Sequence, residues 1–240
     1  MKQRFEGDDR PPPNWRRLAE AAWLVPRILS TLRPARPLGP EEGPPALVIP
    51  GWVASDRTTL GLRKALAEAG WRVHGWGMGF NRGARVDTVE RLRRRLENVG
   101  GGQSVLLVGW SLGGVYAREL ARAVPDQVRA VVTLGSPFSG DPKQNNVWRF
   151  YEWIAGHKVD APPIPRITDK PPVPQLAFWS RRDGIVAPRS ARGLDHERDE
   201  AVEMRCTHMA FGVSSRLGQA VVREISRFLK DKGIGPESQA

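Results

Sequence analysis

Cysteine is nearly absent: Cys206 is the single one in 240 residues. That excludes an intramolecular disulfide and a thiolate metal cage. No stretch approaches the roughly eighteen uncharged apolar residues of a spanning helix. Internal repeats are missing, as are zinc-finger, RNP-type and basic-zipper patterns, so nucleic acid is not an expected partner. What is present is ordinary for a globular chain, with 40% apolar and 26% charged residues. A chain of this size buries a core without disulfides or metals, and no metal or cofactor is expected. The net charge of +11 is mostly arginine, since only seven of the 37 cations are lysine. An arginine-rich composition accounts for it, although attraction to anionic lipid or an acidic substrate is the functional alternative.

Residues 1–45 read as an N-terminal arm. Pro11, Pro12 and Pro13 end a polar start, and a helical pattern follows over 14–32, with Asn14 as N-cap. Trp15, Leu18, Ala22, Val25, Leu29 and Leu32 share one face, and Pro26 should kink it. This basic amphipathic helix either packs on the domain or covers a site, or it meets a membrane surface through residues 14–33. Glu20 interrupts its apolar stretch, which argues against a secretory leader. With a single cysteine, this points to a cytoplasmic location, with peripheral membrane contact left open. A proline-rich linker over 33–45 completes the arm.

From 46 to 240 the chain reads as one α/β domain. Short apolar runs at 46–49, 71–76, 104–108, 128–134, 175–179 and 201–205 predict strands. Helical patterns at 58–69, 87–99, 112–123 and 214–230 lie between and after them, with Asp87 as an N-cap. Near-continuous apolar strands separated by helices imply a mostly parallel sheet with helices on both faces. The strand C-terminal ends then share one edge, where sites of such sheets lie.

The decisive segment runs Val108-Gly109-Trp110-Ser111-Leu112-Gly113-Gly114, a G-x-S-x-G between a strand and a helix. The chain must turn sharply at Ser111, with Gly109 and Gly113 making room. The hydroxyl then projects from the strand tip, and the Leu112 N–H points where an oxyanion develops. A serine nucleophile needs a base. Of His74, His157, His196 and His208, only His208 follows the last strand and precedes the closing helix. Asp183, in the loop after the 175–179 strand, is the candidate carboxylate. Asp195 and Asp199 compete, but their charge-dense stretch reads as a solvated loop, and His196 in it as exposed. Gly51 in Pro50-Gly51-Trp52 allows close backbone approach, or is a simple turn glycine; the Trp52 N–H is the second candidate oxyanion donor.

These residues together resemble the α/β-hydrolase family, and within it the small esterase- and lipase-like members. Four motifs carry the resemblance over about 46–229: Pro50-Gly51-Trp52, Gly109 to Gly114, Gly135-Ser136-Pro137, and Asp183-Gly184-Ile185-Val186 with the later His208. It implies ester hydrolysis through an acyl-serine intermediate, with Ser111 as nucleophile, His208 as base, Asp183 as its orienter, and Trp52 and Leu112 as oxyanion donors. The same parts serve thioesterases, lactonases and acyltransferases, and a membrane-associated binding protein could keep the fold without the chemistry. Many relatives carry histidine where this chain has Pro50, and the N-terminal helix lies outside the family core.

Residues 135–174 are too many for a plain crossover and read as a small cap insertion. Gly51 and Trp110, with Trp148, Tyr151 and Trp153 of this insertion, are the candidate substrate contacts; the insertion's aromatics could instead pack against the sheet. The glycine-rich stretch from Trp76 to Gly83 does not open directly into a helix and lacks dinucleotide spacing, so it reads as a flexible loop near the site mouth.

Overall fold

The computed structural model describes residues 37–140 and 167–235. The 14–33 pattern and Trp148, Tyr151, Trp153 and His157 lie outside the described residues. Six strands form one sheet: β1 (Pro45–Ile49), β2 (Arg72–Gly75), β3 (Val105–Trp110), β4 (Val128–Leu134), β5 (Gln175–Trp179) and β6 (Glu200–Glu203). Their order is β2-β1-β3-β4-β5-β6 and every pairing is parallel. The helices are α1 (Leu60–Glu68), α2 (Thr88–Gly100), α3 (Leu112–Ala123), α4 (Pro188–Arg192), α5 (His208–Val213) and α6 (Ser215–Asp231). Among the described residues no helix is long and apolar enough to cross a membrane.

Alternation along the strands splits the core in two. Ala46, Val48, Leu106, Val108, Ala130 and Val132 pack with Leu62 and Leu66 of α1 and Val221, Ile225 and Phe228 of α6. Leu47, Ile49, Leu107 and Val131 face Leu92 and Leu96 of α2 and Tyr116 and Leu120 of α3. Both faces of the central strands are thus apolar, which is why the strands read as continuous runs. The chain leaves β1 towards β2 and leaves β3 towards β4. The order therefore reverses between β1 and β3, and the crevice at their C-terminal ends is where ligands of such sheets bind.

Several sequence expectations shift. β3 runs on through Gly109 to Trp110, so the strand reaches the turn itself. Asp87 occupies the N-cap position of α2 but makes no side-chain cap bond; instead the Thr88 hydroxyl accepts the Arg85 N–H at 2.8 Å. The stretch read as a solvated loop is partly structural. Glu197 is buried, and the Asp199 carboxylate accepts the Gln175 N–H at 2.8 Å and the ammonium groups of Lys170 and Lys232. Arg118 of α3, also buried, donates to the carbonyls of Thr168, Asp169 and Glu197 and stacks on Phe138. Desolvation pulls its pKa down to about 9, a cost offset by fixing the chain that re-enters β5.

His74 of β2 lies opposite Leu47, and its Nε2 is buried without a hydrogen-bond partner. Burial first, then the charges of Arg95, Arg72 and Arg63, lower its pKa from 6.5 to about 4. Between these values the unfolded chain binds a proton that the folded chain refuses. The resulting stability is complete above about pH 6.5 and is lost as pH falls towards about 4. His74→Gln should flatten this loss; urea midpoints at pH 7 and pH 4.5 for both chains would measure it. An equal acid-induced drop in the variant would assign the sensitivity elsewhere.

Candidate active site

Ser111 sits between β3 and α3 with φ 54° and ψ −122°. Positive φ in a non-glycine residue costs about 1–3 kcal/mol and persists only where the surroundings enforce it. Here they do. The Ser111 N–H donates to Leu134 O at 2.9 Å, and its own carbonyl accepts the Gly114 N–H at 3.0 Å. A Cβ at Gly109 would strike the backbone of Gly113 and Gly114, and one at Gly113 would strike Ile49 O. A Cβ at Gly51 would come within 3.1 Å of Ser111 Cβ, so the β1 loop and the serine turn are in direct apposition.

The carboxylate and the imidazole meet from β5 and β6. Asp183 Oδ2 lies 2.8 Å from His208 Nδ1, with the two side chains only 1% and 3% exposed. Asp183 Oδ1 accepts the N–H groups of Ile185 at 2.8 Å and Val186 at 2.7 Å. One oxygen is thus consumed by its own loop, which aims the other at the ring. Gly135, after β4, closes the space beside them: a Cβ there would lie 3.1 Å from Asp183 Oδ2 and 3.2 Å from His208 Nδ1. Since Gly135 follows Leu134, the carbonyl that holds Ser111, the tips of β3, β4, β5 and β6 converge on one place.

Residues 44–160 match the family described as alpha/beta hydrolase fold, and solved structures of that fold align over most of the chain. The chain has the alpha/beta hydrolase fold. One similar structure is MGS-MChE2, an alpha/beta hydrolase enzyme from the metagenome of sediments of the lagoon of Mar Chica, Morocco. It shares 20% identity over 82% of this chain and 94% of that one, with a TM-score of 0.57. A thioesterase domain from the curacin biosynthetic pathway aligns at 13% identity over 78% and 93%, with a TM-score of 0.54. Among curated proteins, the pimeloyl-[acyl-carrier protein] methyl ester esterase of Shewanella woodyi is 27% identical over 113 residues. That match spans 45% of this chain and 41% of the relative, so this chain covers less than half of that protein's length.

Within this fold, Trp52 is half-buried in the loop after β1, and Leu112 is the first residue of α3, so its N–H is a helix-start donor by position. Trp110 requires a correction. It is 2% exposed, Gly212 packs against its ring, and its indole N–H donates to His208 O at 3.2 Å. It braces the turn that carries His208 from below instead of facing a substrate; alternation along β3 turns it to the core face shared with Val108. His208 itself opens the short helix α5, between the last strand and the closing helix. Asp195 pairs with Arg198 and has an 89% exposed side chain, and His196 is exposed as expected.

Two positioning residues escape sequence reading. The Ser180 hydroxyl donates to Cys206 O at 2.7 Å and accepts the Arg182 N–H at 3.0 Å, tying the Asp183 loop to the approach to His208. Asn81 is fully buried. Its amide donates to Pro50 O at 2.9 Å and its side-chain oxygen accepts the Gly83 N–H at 3.1 Å. Its backbone exchanges bonds with Val53 and Ala54, each 2.8 Å, and Val53 is held at φ 56°. The Trp76 to Gly83 loop is therefore the buttress of the β1 loop, not a free flap; its one asparagine among glycines was the available signal. Asn81→Ala would leave Pro50 O buried and unpaired, at a cost of about 1–3 kcal/mol. A lower urea midpoint and a reduced kcat are expected; an unchanged kcat would remove this loop from the reacting site.

Proposed function

We propose that the protein is a serine hydrolase that cleaves carboxylic esters through an acyl-serine intermediate. The observation that carries this reading is the buried Asp183–His208 pair at 2.8 Å, set at the same sheet edge as the strained turn at Ser111. In this reading Asp183 accepts the Nδ1 proton of His208 in a hydrogen bond, which leaves Nε2 with its lone pair. Nε2 takes the Ser111 proton as Oγ attacks the ester carbonyl, and the N–H groups of Trp52 and Leu112 receive the oxyanion. His208 returns that proton to the leaving alcohol. Water, activated by the same nitrogen, then opens the acyl-serine and releases the acid. The base acts only when neutral, so the rate should rise with pH through a single ionisation. His74, with its pKa near 4, contributes nothing to that limb.

The substrate class belongs to the proposal as well. The curated relative named for an ester of an acyl-carrier-protein-bound acid and the thioesterase domain of the same fold support small acyl esters, with acyl thioesters as the second candidate. Lactone cleavage and acyl transfer would use the same serine. A panel of p-nitrophenyl esters from acetate to palmitate, run beside acyl thioesters of matched length, tests this. Saturable ester turnover with a chain-length optimum is the expected result. Turnover of thioesters alone would move the reading to a thioesterase, and inertness towards both would end it.

A further inference from the structure

The loop that braces the β1 turn also forms a cavity that no step above uses. It has a volume of about 300 Å³ and lies between this loop and the first turns of α2. Its apolar wall is Trp76, Met78 and Phe80, and its polar wall is Arg82, Arg85 and Arg91. All three arginines are solvent-facing, and none of their guanidinium groups is engaged by a carboxylate or carbonyl among the described residues. The nearby acids do not neutralise them: Glu90 is bonded to Arg93 and Arg94, and Asp87 points its backbone, not its carboxylate, into the local hydrogen bonding. Val86, the residue after Arg85 in the chain, is 88% exposed, the most exposed large apolar side chain among the described residues.

The frame is rigid where it matters. The Trp76 indole N–H donates to Gly79 O at 2.9 Å, and the Trp76 and Gly77 N–H groups are held by the buried Asp56 carboxylate at 2.9 and 3.1 Å. Gly77, Gly79 and Gly83 adopt φ values of 74°, 74° and 111°, turns that side chains would resist. Three unpaired guanidinium groups facing one cavity repel each other unless an anion joins them, and arginine forks match phosphate oxygens. An aromatic and thioether wall of Trp76, Phe80 and Met78 asks for an apolar stem rather than a free inorganic ion.

We propose that this cavity is a binding site for a phosphate group carried on an apolar stem, separate from the serine centre. The phosphate accepts from Arg82, Arg85 and Arg91, and the stem runs along Phe80 and Met78. A soluble alkyl phosphate and a phospholipid headgroup both have this chemistry.

The test uses the full-length Ser111→Ala chain, so that no ester is turned over. Calorimetric titration with octyl phosphate, octanol and inorganic phosphate is one arm. Flotation with phosphatidylglycerol or phosphatidylcholine vesicles is the other. Octyl phosphate should bind more tightly than octanol or inorganic phosphate. The added substitutions Arg82→Gln, Arg85→Gln and Arg91→Gln should together weaken it by at least about tenfold, with no change in melting temperature because all three side chains are exposed. Binding of octyl phosphate monomers assigns a soluble ligand. Flotation with phosphatidylglycerol alone, lost in the triple variant, assigns the lipid headgroup. The site is overturned if the triple variant binds as its parent does in both arms, if octanol binds as well as octyl phosphate, or if the parent binds neither probe.

Discussion

Replacing Ser111 by alanine is expected to lower ester turnover by about five to six powers of ten, with the fold intact. The size follows from the role proposed for the residue: without Oγ no acyl-enzyme forms, and only the oxyanion donors and binding remain. The intact fold follows from the turn itself. The Ser111 side chain makes no cap bond to α3, while the backbone bonds to Leu134 O and from the Gly114 N–H persist in alanine. Alanine keeps the penalty of φ 54°, so its stability should match that of serine within about 0.5 kcal/mol. Glycine would remove that penalty. Ser111→Gly should therefore be as inactive as the alanine chain but more stable than it, by about 1 kcal/mol. Together the two variants separate strain from chemistry. A serine that merely capped a helix would give the opposite pattern, with activity retained and stability lost. Near-wild-type turnover in either chain would sink the serine mechanism.

How much of this was legible in the sequence depends on the range of each interaction. The sheet was readable because its strands are apolar on both faces, and the serine turn because its glycines are forced by contacts within a few residues, such as Gly109 against Gly113 and Gly114. Asp183 and His208 could be chosen by position alone, since each follows a strand at the shared edge. What failed was whatever depended on side-chain direction or on distant partners. Trp110 looked like a substrate contact beside the serine, yet strand alternation sends it into the core. Asn81 bonds to Pro50, thirty-one positions away, and Ser180 to Cys206; no local pattern announces either. The stretch around Asp195 to Asp199 reads as solvated because it is charged, but Glu197 turns inward to accept the Leu194 N–H. Composition cannot tell a paired buried carboxylate from a free one.

Asp183→Asn is the sharper probe of the base, because its expected effect is chemical and almost free of structural damage. Two N–H groups, the half-buried one of Ile185 and the buried one of Val186, point at Oδ1. An amide NH2 placed there would meet two donors, so the asparagine must put its oxygen at that position and its NH2 towards His208. Nδ1 then has to accept, and the ring proton moves to Nε2. The nitrogen that should take the Ser111 proton already carries one, and a loss of about 10⁴-fold in kcat is expected. Melting temperature should barely move, since both loop bonds survive. Asp183→Ala supplies the contrast: it leaves both donors without their acceptor, at about 1–3 kcal/mol for the buried Val186 N–H, so it should lose stability as well as activity. Because the asparagine chain has no carboxylate to support an imidazolium, its residual rate should keep climbing at alkaline pH, where hydroxide replaces the missing base, while the parent rate levels off. A parent-like kcat in Asp183→Asn, in a chain shown to be folded, would remove Asp183 from the mechanism and leave its two loop bonds as its whole role.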